Sequence, residues 1–435
     1  MPKTARLGAL DRSVKSLPLK KMARSSGFMR RKPRKIGPRL FLKAICLMAL
    51  SPGASLSLAA ALISLAGPKA VSRQGLWKRL GAASAAFVAE AARALMAAKS
   101  GAQTMIRAGV FASFRRVLVE DSTVLPLGAS LAKAYPGGAN QHGKKRAAAK
   151  VNAVYDLLQG AFVRFGLSPF TRNDQAGAPD ILQMAGKGDL LLRDLGFFAL
   201  PVFARLMEAG AFFVRRLRHG LWIADLDGNR LDLLRHLRRH GAFDAQVLLG
   251  KKEKLRVRLV AVRISKAAAA ERRRRLRQNR DKRLHPTKEQ LALLDWTLIL
   301  TNVKADLWDA QTLCNVYRLR WRIEIWFKAW KSHLRMADLP NGSRGYVETL
   351  IWARLLLAVL LSALFTEIFW RADERPKRLP SLLKTTRFAL LCLTHAWMPR
   401  LDLSCARLER ILQRLCAYDQ RQDRQCFSEF LHKLG

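Results

Sequence analysis

Apolar residues fall into long runs near both ends of the chain and into short runs in its middle. Residues 40–108 recur at helical spacing and are broken at Ser51-Pro52-Gly53 and at Gly67-Pro68, which predicts several short helices. Ser72 follows the Gly-Pro turn and predicts an N-cap for a short helix carrying Arg73, Gln74, Lys78 and Arg79. That turn-plus-basic-helix pattern is the shape of a recognition half in a helix-turn-helix, and an ordinary surface helix gives the same pattern. From Phe114 onward the runs shorten. Val117–Val119 predict a strand with Asp121 at its end, residues 149–158 a second strand, and Leu190–Leu192 a third, followed by Asp194 and Gly196. Strand-like pieces at 211–265 are punctuated by Asp227-Gly228-Asn229 and Gly250-Lys251-Lys252, and Thr297–Val303 gives one more buried strand. Residues 317–336 contain no Gly or Pro and predict one amphipathic helix, with Leu319, Ile323, Phe327, Trp330 and Leu334 as its apolar stripe. A long apolar helix follows over about 346–370. Its most apolar part, Leu355–Leu364, lies between Arg354 and Glu367, too short a span for a bilayer, so a buried helix is expected.

Charge changes this picture. The chain has 435 residues with 78 Lys and Arg against 32 Asp and Glu, a formal net charge of +46. Half the residues are hydrophobic, which excludes a disordered polycation and implies a large core. Such an excess of positive charge calls for a polyanionic partner, most simply nucleic acid. Six cysteines without any CxxC pair suit neither zinc nor a disulfide framework, and a reducing, cytoplasmic, nucleoid-associated setting is expected. The basic arm is too long, and the apolar run at Leu40–Leu50 is interrupted by Lys43, so no signal peptide or membrane role is expected. The GGANQHGKK segment lacks a phosphate-loop signature.

Candidate chemistry concentrates on the 317–336 helix. At about 100° per residue, Tyr317, Arg320, Glu324 and Lys331 fall within roughly 60° of one another. A carboxylate on that face can hold a divalent cation, while Arg, Lys and Tyr can grip phosphate. A solvated face of a basic helix would look the same. Carboxylates that serve two-metal phosphoryl chemistry must converge from different elements. Asp121 and Asp194 each follow a strand-like run, and rigid strand ends suit that task. Asp189 lies close enough in sequence to replace Asp194, whereas Asp225 and Asp227 are better read as a hairpin turn than as a calcium loop.

The spacing Tyr, two residues, Arg, three residues, Glu, six residues, Lys resembles the YREK signature of bacterial insertion-sequence transposases, in the insertion-sequence-four branch of the DDE superfamily. Asp194-Leu195-Gly196-Phe197-Phe198, Leu300-Thr301-Asn302-Val303 and Asp121-Ser122-Thr123 resemble further segments of that branch. The resemblance implies an α/β fold: an RNase H-like catalytic core interrupted by a β-rich insertion, with helical N-terminal DNA-binding and C-terminal regions. On this basis the expected divisions are a basic arm at 1–39, a helical DNA-binding region at 40–112, core at 113–202, insertion at 203–285, core with the YREK helix at 286–372, and a helical region at 373–435.

The resemblance also implies a catalytic triad of Asp121, Asp194 and Glu324 holding two Mg²⁺ ions, with Mn²⁺ able to substitute. Tyr317, Arg320 and Lys331 would contact phosphate, and Trp296 stands where hairpin-forming relatives stack an extruded base, a position that core packing would also explain. By helix geometry Trp321 lies about 40° from Tyr317 and can reach toward the DNA side. The implied activity is cleavage at transposon ends and strand transfer by a cut-and-paste, hairpin route. Its partners would be double-stranded terminal inverted repeats and target DNA, bound by a dimer. A catalytically silent DNA-binding regulator and an RNase H-like nuclease without strand transfer are the rival classes. Sequence recognition is expected to map mainly to the N-terminal helices, so removing residues 1–108 should leave a soluble core with weak, nonspecific DNA binding.

Overall fold

A computed structural model describes residues 12–100, 109–138, 146–278, 286–373 and 382–397. The start of the basic arm, most of GGANQHGKK, the end of the basic run at 271–283 and residues 398–435, with Cys405, Cys416 and Cys426, lie outside the described residues. The chain forms two compact units. One comprises Met1–Leu95, Pro126–Ala134 and Ala329–Gly435, the other Met96–Leu125 and Tyr135–Lys328.

The second unit is built on one nine-stranded sheet. Its strands are β1 (Arg116–Leu127), β2 (Ala147–Asp156), β3 (Ala161–Pro169), β4 (Asp189–Arg193), β5 (Phe212–Arg216), β6 (Ile223–Ala224), β7 (Phe243–Leu249), β8 (Leu255–Arg263) and β9 (Trp296–Thr301). Their spatial order is β3-β2-β1-β4-β5-β9-β8-β7-β6. β1, β4 and β5 run parallel, while β2 and β3 pair antiparallel. Order 3-2-1-4-5 with this polarity is the RNase H-like arrangement. β4 is buried along its whole length, as a central parallel strand requires, because both faces are covered. The strands of the 211–265 region do not form a separate layer: β6, β7 and β8 join β9 antiparallel and extend the same sheet.

Asn302 explains the Thr-Asn segment physically. Its side chain accepts from the Phe213 amide at 2.9 Å and donates to the Ala211 carbonyl at 2.9 Å. The Thr301 hydroxyl donates to the Phe213 carbonyl at 2.6 Å. Two polar side chains therefore complete the ladder where β9 and β5 part. Leu118, Leu191, Phe203, Phe213 and Leu300 lie in one apolar cluster against this sheet.

Helices in the described residues are α1 (Leu19–Ser25), α2 (Pro38–Leu50), α3 (Leu56–Ala66), α4 (Arg73–Trp77), α5 (Ala82–Ser100), α6 (Asp174–Gly177), α7 (Leu200–Glu208), α8 (Leu233–His240), α9 (Lys266–Arg277), α10 (Lys288–Leu293), α11 (Ala310–Arg318), α12 (Trp321–His333), α13 (Arg344–Asp373) and α14 (Leu382–Trp397). Ser72 caps α4 as expected, accepting from the Gly75 amide at 3.1 Å. The first unit is helical. α13 is apolar and long enough to cross a membrane by composition, yet 89% of that stretch is buried. It packs on α2: the Arg354 guanidinium donates to the Ala49 carbonyl at 2.9 Å, and Cys46 lies 3.7 Å from the Ala353 carbonyl. Removing residues 1–108 would strip α2 from α13 and uncover its apolar surface, which argues against a soluble core after that cut.

A second correction concerns the helix expected over 317–336. The chain breaks it into α11 and α12, with Leu319 and Arg320 in a turn between them. Amide bonds there run three residues back rather than four, from Leu319 to Val316, Arg320 to Tyr317, Arg322 to Leu319 and Ile323 to Arg320. This tighter winding rotates Leu319 out of the apolar stripe, and it is 40% exposed. Ile323, Phe327, Trp330 and Leu334 are buried as expected.

Candidate active site

β1 and β4 pair in register from Arg116↔Asp189 to Glu120↔Arg193, so Asp121 and Asp194 each stand one residue past the last rung. The Ser122 amide donates to Asp121 Oδ1 at 2.8 Å and fixes that carboxylate. Asp194 begins a tight turn, Leu195–Phe197, that re-aims the chain into α7. Gly196 allows this turn to approach α6: a Cβ there would lie 2.9 Å from Asp174 Oδ2 and 3.1 Å from Asp174 Cβ. Asp174 also accepts from the Ser122 hydroxyl at 2.8 Å and from Lys150 Nζ at 3.0 Å.

Glu324 lies in the first turn of α12. Arg320, in the turn before it, brings the three carboxylates together. Its guanidinium donates to Glu324 Oε1 at 2.7 Å and to Asp121 Oδ2 at 3.2 Å, and its Nε is 3.8 Å from Asp194 Oδ1. Burial is unequal: the side chains of Asp121, Glu324 and Asp194 are 17%, 37% and 45% exposed. Burial pushes the Asp121 carboxyl up to about 7, against the opposing pull of the Ser122 amide and Arg320. Tyr317, in the last turn of α11, is buried, and its hydroxyl has no hydrogen-bond partner among the described residues. Burial raises its pKa.

The remaining candidates are placed differently. Lys331 is exposed near the end of α12, where the helix has passed into the other compact unit. Trp321 is 56% exposed. Trp296 is buried, its indole N–H donating to the Gly241 carbonyl at 2.7 Å. It also lines a cleft of about 870 Å³ shared with Leu195, Leu298, Arg216, Arg272 and Lys251. Asp189 sits fully buried at the opposite end of β4 from Asp194, held by Arg115 and Arg116 at 2.6 Å each. Burial raises its pKa, but the hydrogen bonds from those two guanidinium groups outweigh burial and hold it below the usual carboxylate range. Asp225 accepts from the Asn229 amide at 2.8 Å in a hairpin turn, with Gly228 at φ 91°.

Sequence reading missed Asp174 and Lys150, whose neighbours in space are far away in the chain. It also missed Arg215, a buried guanidinium stacked on Phe198 at 4.1 Å and on Phe203 at 4.8 Å. Burial pulls the Arg215 pKa down to about 9.

Among the described residues no three His, Cys, Asp or Glu side chains are close enough to one another to hold an ion. Asp121, Asp194 and Glu324 instead surround one guanidinium. β1 runs on to Leu127, so Asp121 lies in mid-strand and not at the strand end expected from the sequence, whereas Asp194 does stand just past β4. Carboxylates from β1, the residue after β4 and α12 are a hard oxygen donor set, of the kind that suits Mg²⁺ or Mn²⁺.

Comparison with known proteins agrees with the sequence resemblance. A family model described as Transposase DDE domain matches residues 112–360. The transposase for insertion sequence element IS231D of Bacillus thuringiensis subsp. finitimus is 27% identical over 368 residues, covering 79% of this chain and 76% of the relative. The transposase for IS231B of Bacillus thuringiensis subsp. berliner is 25% identical over 366 residues with the same coverage. The transposase for IS1151 of Clostridium perfringens is 23% identical over 346 residues, covering 74% of this chain and 73% of the relative. Among solved structures, a piggyBac transposase synaptic complex with hairpin DNA gives a TM-score of 0.44 at 11% identity, covering 99% of this chain and 88% of that one.

Proposed function

Because the chain belongs to the DDE-domain transposase family, we propose that it cleaves the ends of an insertion sequence and joins them to target DNA, with Asp121, Asp194 and Glu324 as the catalytic carboxylates. One observation carries the assignment: carboxylates from β1, the end of β4 and α12 converge on a single guanidinium, at 3.2, 3.8 and 2.7 Å. These three residues would hold two Mg²⁺ ions, which when bound activate the attacking oxygen and stabilise the leaving one.

The chain's own residues do the rest. Arg320 neutralises the carboxylates in the free protein and is placed to turn its guanidinium to a phosphate of the scissile strand. Tyr317 offers an unused hydroxyl beside it as a further phosphate donor. Lys331 is proposed as a third phosphate contact. The net charge of +46 supplies non-specific attraction to duplex DNA. Two ends must be held and cut, so a dimer on DNA is proposed.

The finer route we propose is cut-and-paste through a hairpin. The cleft walled by Trp296 and rimmed by Arg216, Arg272 and Lys251 supports this reading, since an extruded base needs a stacking surface and its phosphate needs cations. Exposed Trp321 offers a second surface. The test is a denaturing gel of products from a duplex carrying the element's inverted repeat. Excision with hairpin ends followed by joining is expected. Cleavage without hairpins or joining would mean a nuclease instead.

A further inference from the structure

The two residues just before Asp121 and Asp194 carry opposite charges, and the fold pairs them. Glu120 and Arg193 form the last rung of the β1–β4 ladder. Their side chains meet at 2.7 Å, each only 1% exposed. Side chains alternate across a strand, so this pair lies on the sheet face opposite Asp121 and Asp194. Both partners are further tied. Asn152 on β2 donates to Glu120 at 3.1 Å. Arg193 donates to the Ala178 carbonyl at 2.9 Å and stacks on Phe197 at 4.8 Å, within the turn that begins at Asp194.

Past this rung the ladder ends. β1 runs on through Asp121 beside β2 while Asp194 leaves β4, so the Glu120–Arg193 rung is the last direct β1–β4 link beneath the two carboxylates. An apolar pair would bury similar area but would lose the charge contact and the hydrogen bonds to Asn152 and the Ala178 carbonyl. Buried ion pairs are poor stabilisers compared with well-packed apolar pairs, so stability alone is a weak reason for placing two full charges here.

We propose that Glu120 and Arg193 are positioning residues: their buried ion pair, together with Asn152, sets the spacing of Asp121 and Asp194 and thereby how tightly a divalent cation is held between them. This rests on the reading of Asp121 and Asp194 as cation ligands.

The test uses the full chain bound to a duplex carrying the inverted repeat, with Mn²⁺ as the probe followed by electron paramagnetic resonance. The double variant Glu120→Met/Arg193→Met removes both charges and keeps the volume apolar. It should unfold near the wild-type temperature and bind the duplex as wild type does. Its Mn²⁺ half-saturation should rise by about tenfold or more, with single-turnover cleavage falling in proportion and partly restored by excess Mn²⁺. Mn²⁺ binding and cleavage within about twofold of wild type would overturn the proposal, because a merely structural pair is replaceable by apolar groups. If the double variant does not fold, Arg193→Lys decides, since it keeps the charge but loses the forked geometry and the stack. A rise of several-fold in half-saturation is expected, and no rise overturns the proposal. Asp121→Asn in the same assay separates the two levels. If it binds Mn²⁺ normally, the ligand reading fails; if it loses Mn²⁺ while the double variant does not, only the positioning role fails.

Discussion

Asp121 is the most sequestered of the three carboxylates, and its environment predicts a pH effect. Burial lifts its folded-state pKa to about 7, whereas an unfolded Asp titrates near ~3.9. Between those values the folded protein binds more protons than the unfolded chain, so this residue lowers metal-free stability as pH rises through that window. Asp121→Asn removes the dependence. Its melting temperature relative to wild type should therefore climb between pH 5 and pH 8, by roughly several degrees at most. A difference that stays flat with pH would mean the carboxyl is not shifted upward. Arg320 makes a separate prediction. It contacts all three acids, whereas Arg335 makes a surface ion pair with Asp338. Arg320→Ala should slow end cleavage at saturating DNA by about 100-fold or more, and Arg335→Ala by less than about twofold. Equal, mild effects would reduce the four-residue pattern to a coincidence of a basic helix.

At the scale of elements, Asn302 is the joint between β5 and β9. Asn302→Ala leaves the Phe213 amide and Ala211 carbonyl without their partner, and about 1–3 kcal/mol of stability should be lost. Chemical denaturation checks this, and a loss under about 0.5 kcal/mol would mean that water replaces the side chain. This part of the fold was legible in advance because a short apolar strand followed by Asn leaves a strong pattern, whereas β1 runs on past Asp121 to Leu127, a continuation that its polar residues hid. The RNase H-like order was legible only through the resemblance, since spacing alone does not say which strands pair. The break at Leu319-Arg320 was not legible. Nothing in Tyr-Arg-Leu-Arg-Trp-Arg disfavours a helix, and the tighter turn coincides with contacts from Arg320 to acids far away in sequence. Glu120 and Arg193 left a faint signal, opposite charges directly before Asp121 and Asp194, but only the register gave it meaning.

For the whole molecule, the charge excess governs affinity. DNA binding should weaken steeply with salt, with a log-log slope of about −0.9 per phosphate neutralised. Residues 12–39 contribute buried residues such as Val14, Met22 and Ile36, so the probe of the arm is Ala at the exposed Lys20, Lys21, Arg30 and Arg31: a flatter slope is expected if the arm touches DNA, and an unchanged slope would assign these charges no contacts. Larger N-terminal deletions are a poor probe of recognition, because α2 is part of the packing around α13. Point substitutions on α4 and at the residue that follows it, such as Arg73→Ala with Lys78→Ala, keep that packing intact.

The central claim is that three carboxylates from β1, the end of β4 and α12 do the cutting. Its most direct test is Mg²⁺-dependent cleavage of an inverted-repeat duplex by Asp121→Ala, Asp194→Ala and Glu324→Ala, each measured beside its affinity for the same duplex. Each variant should lose cleavage by about 1,000-fold or more while binding the duplex about as tightly as wild type, since binding is spread over many Lys and Arg. A variant that cuts at the wild-type rate would remove that residue from the catalytic set and contradict the assignment.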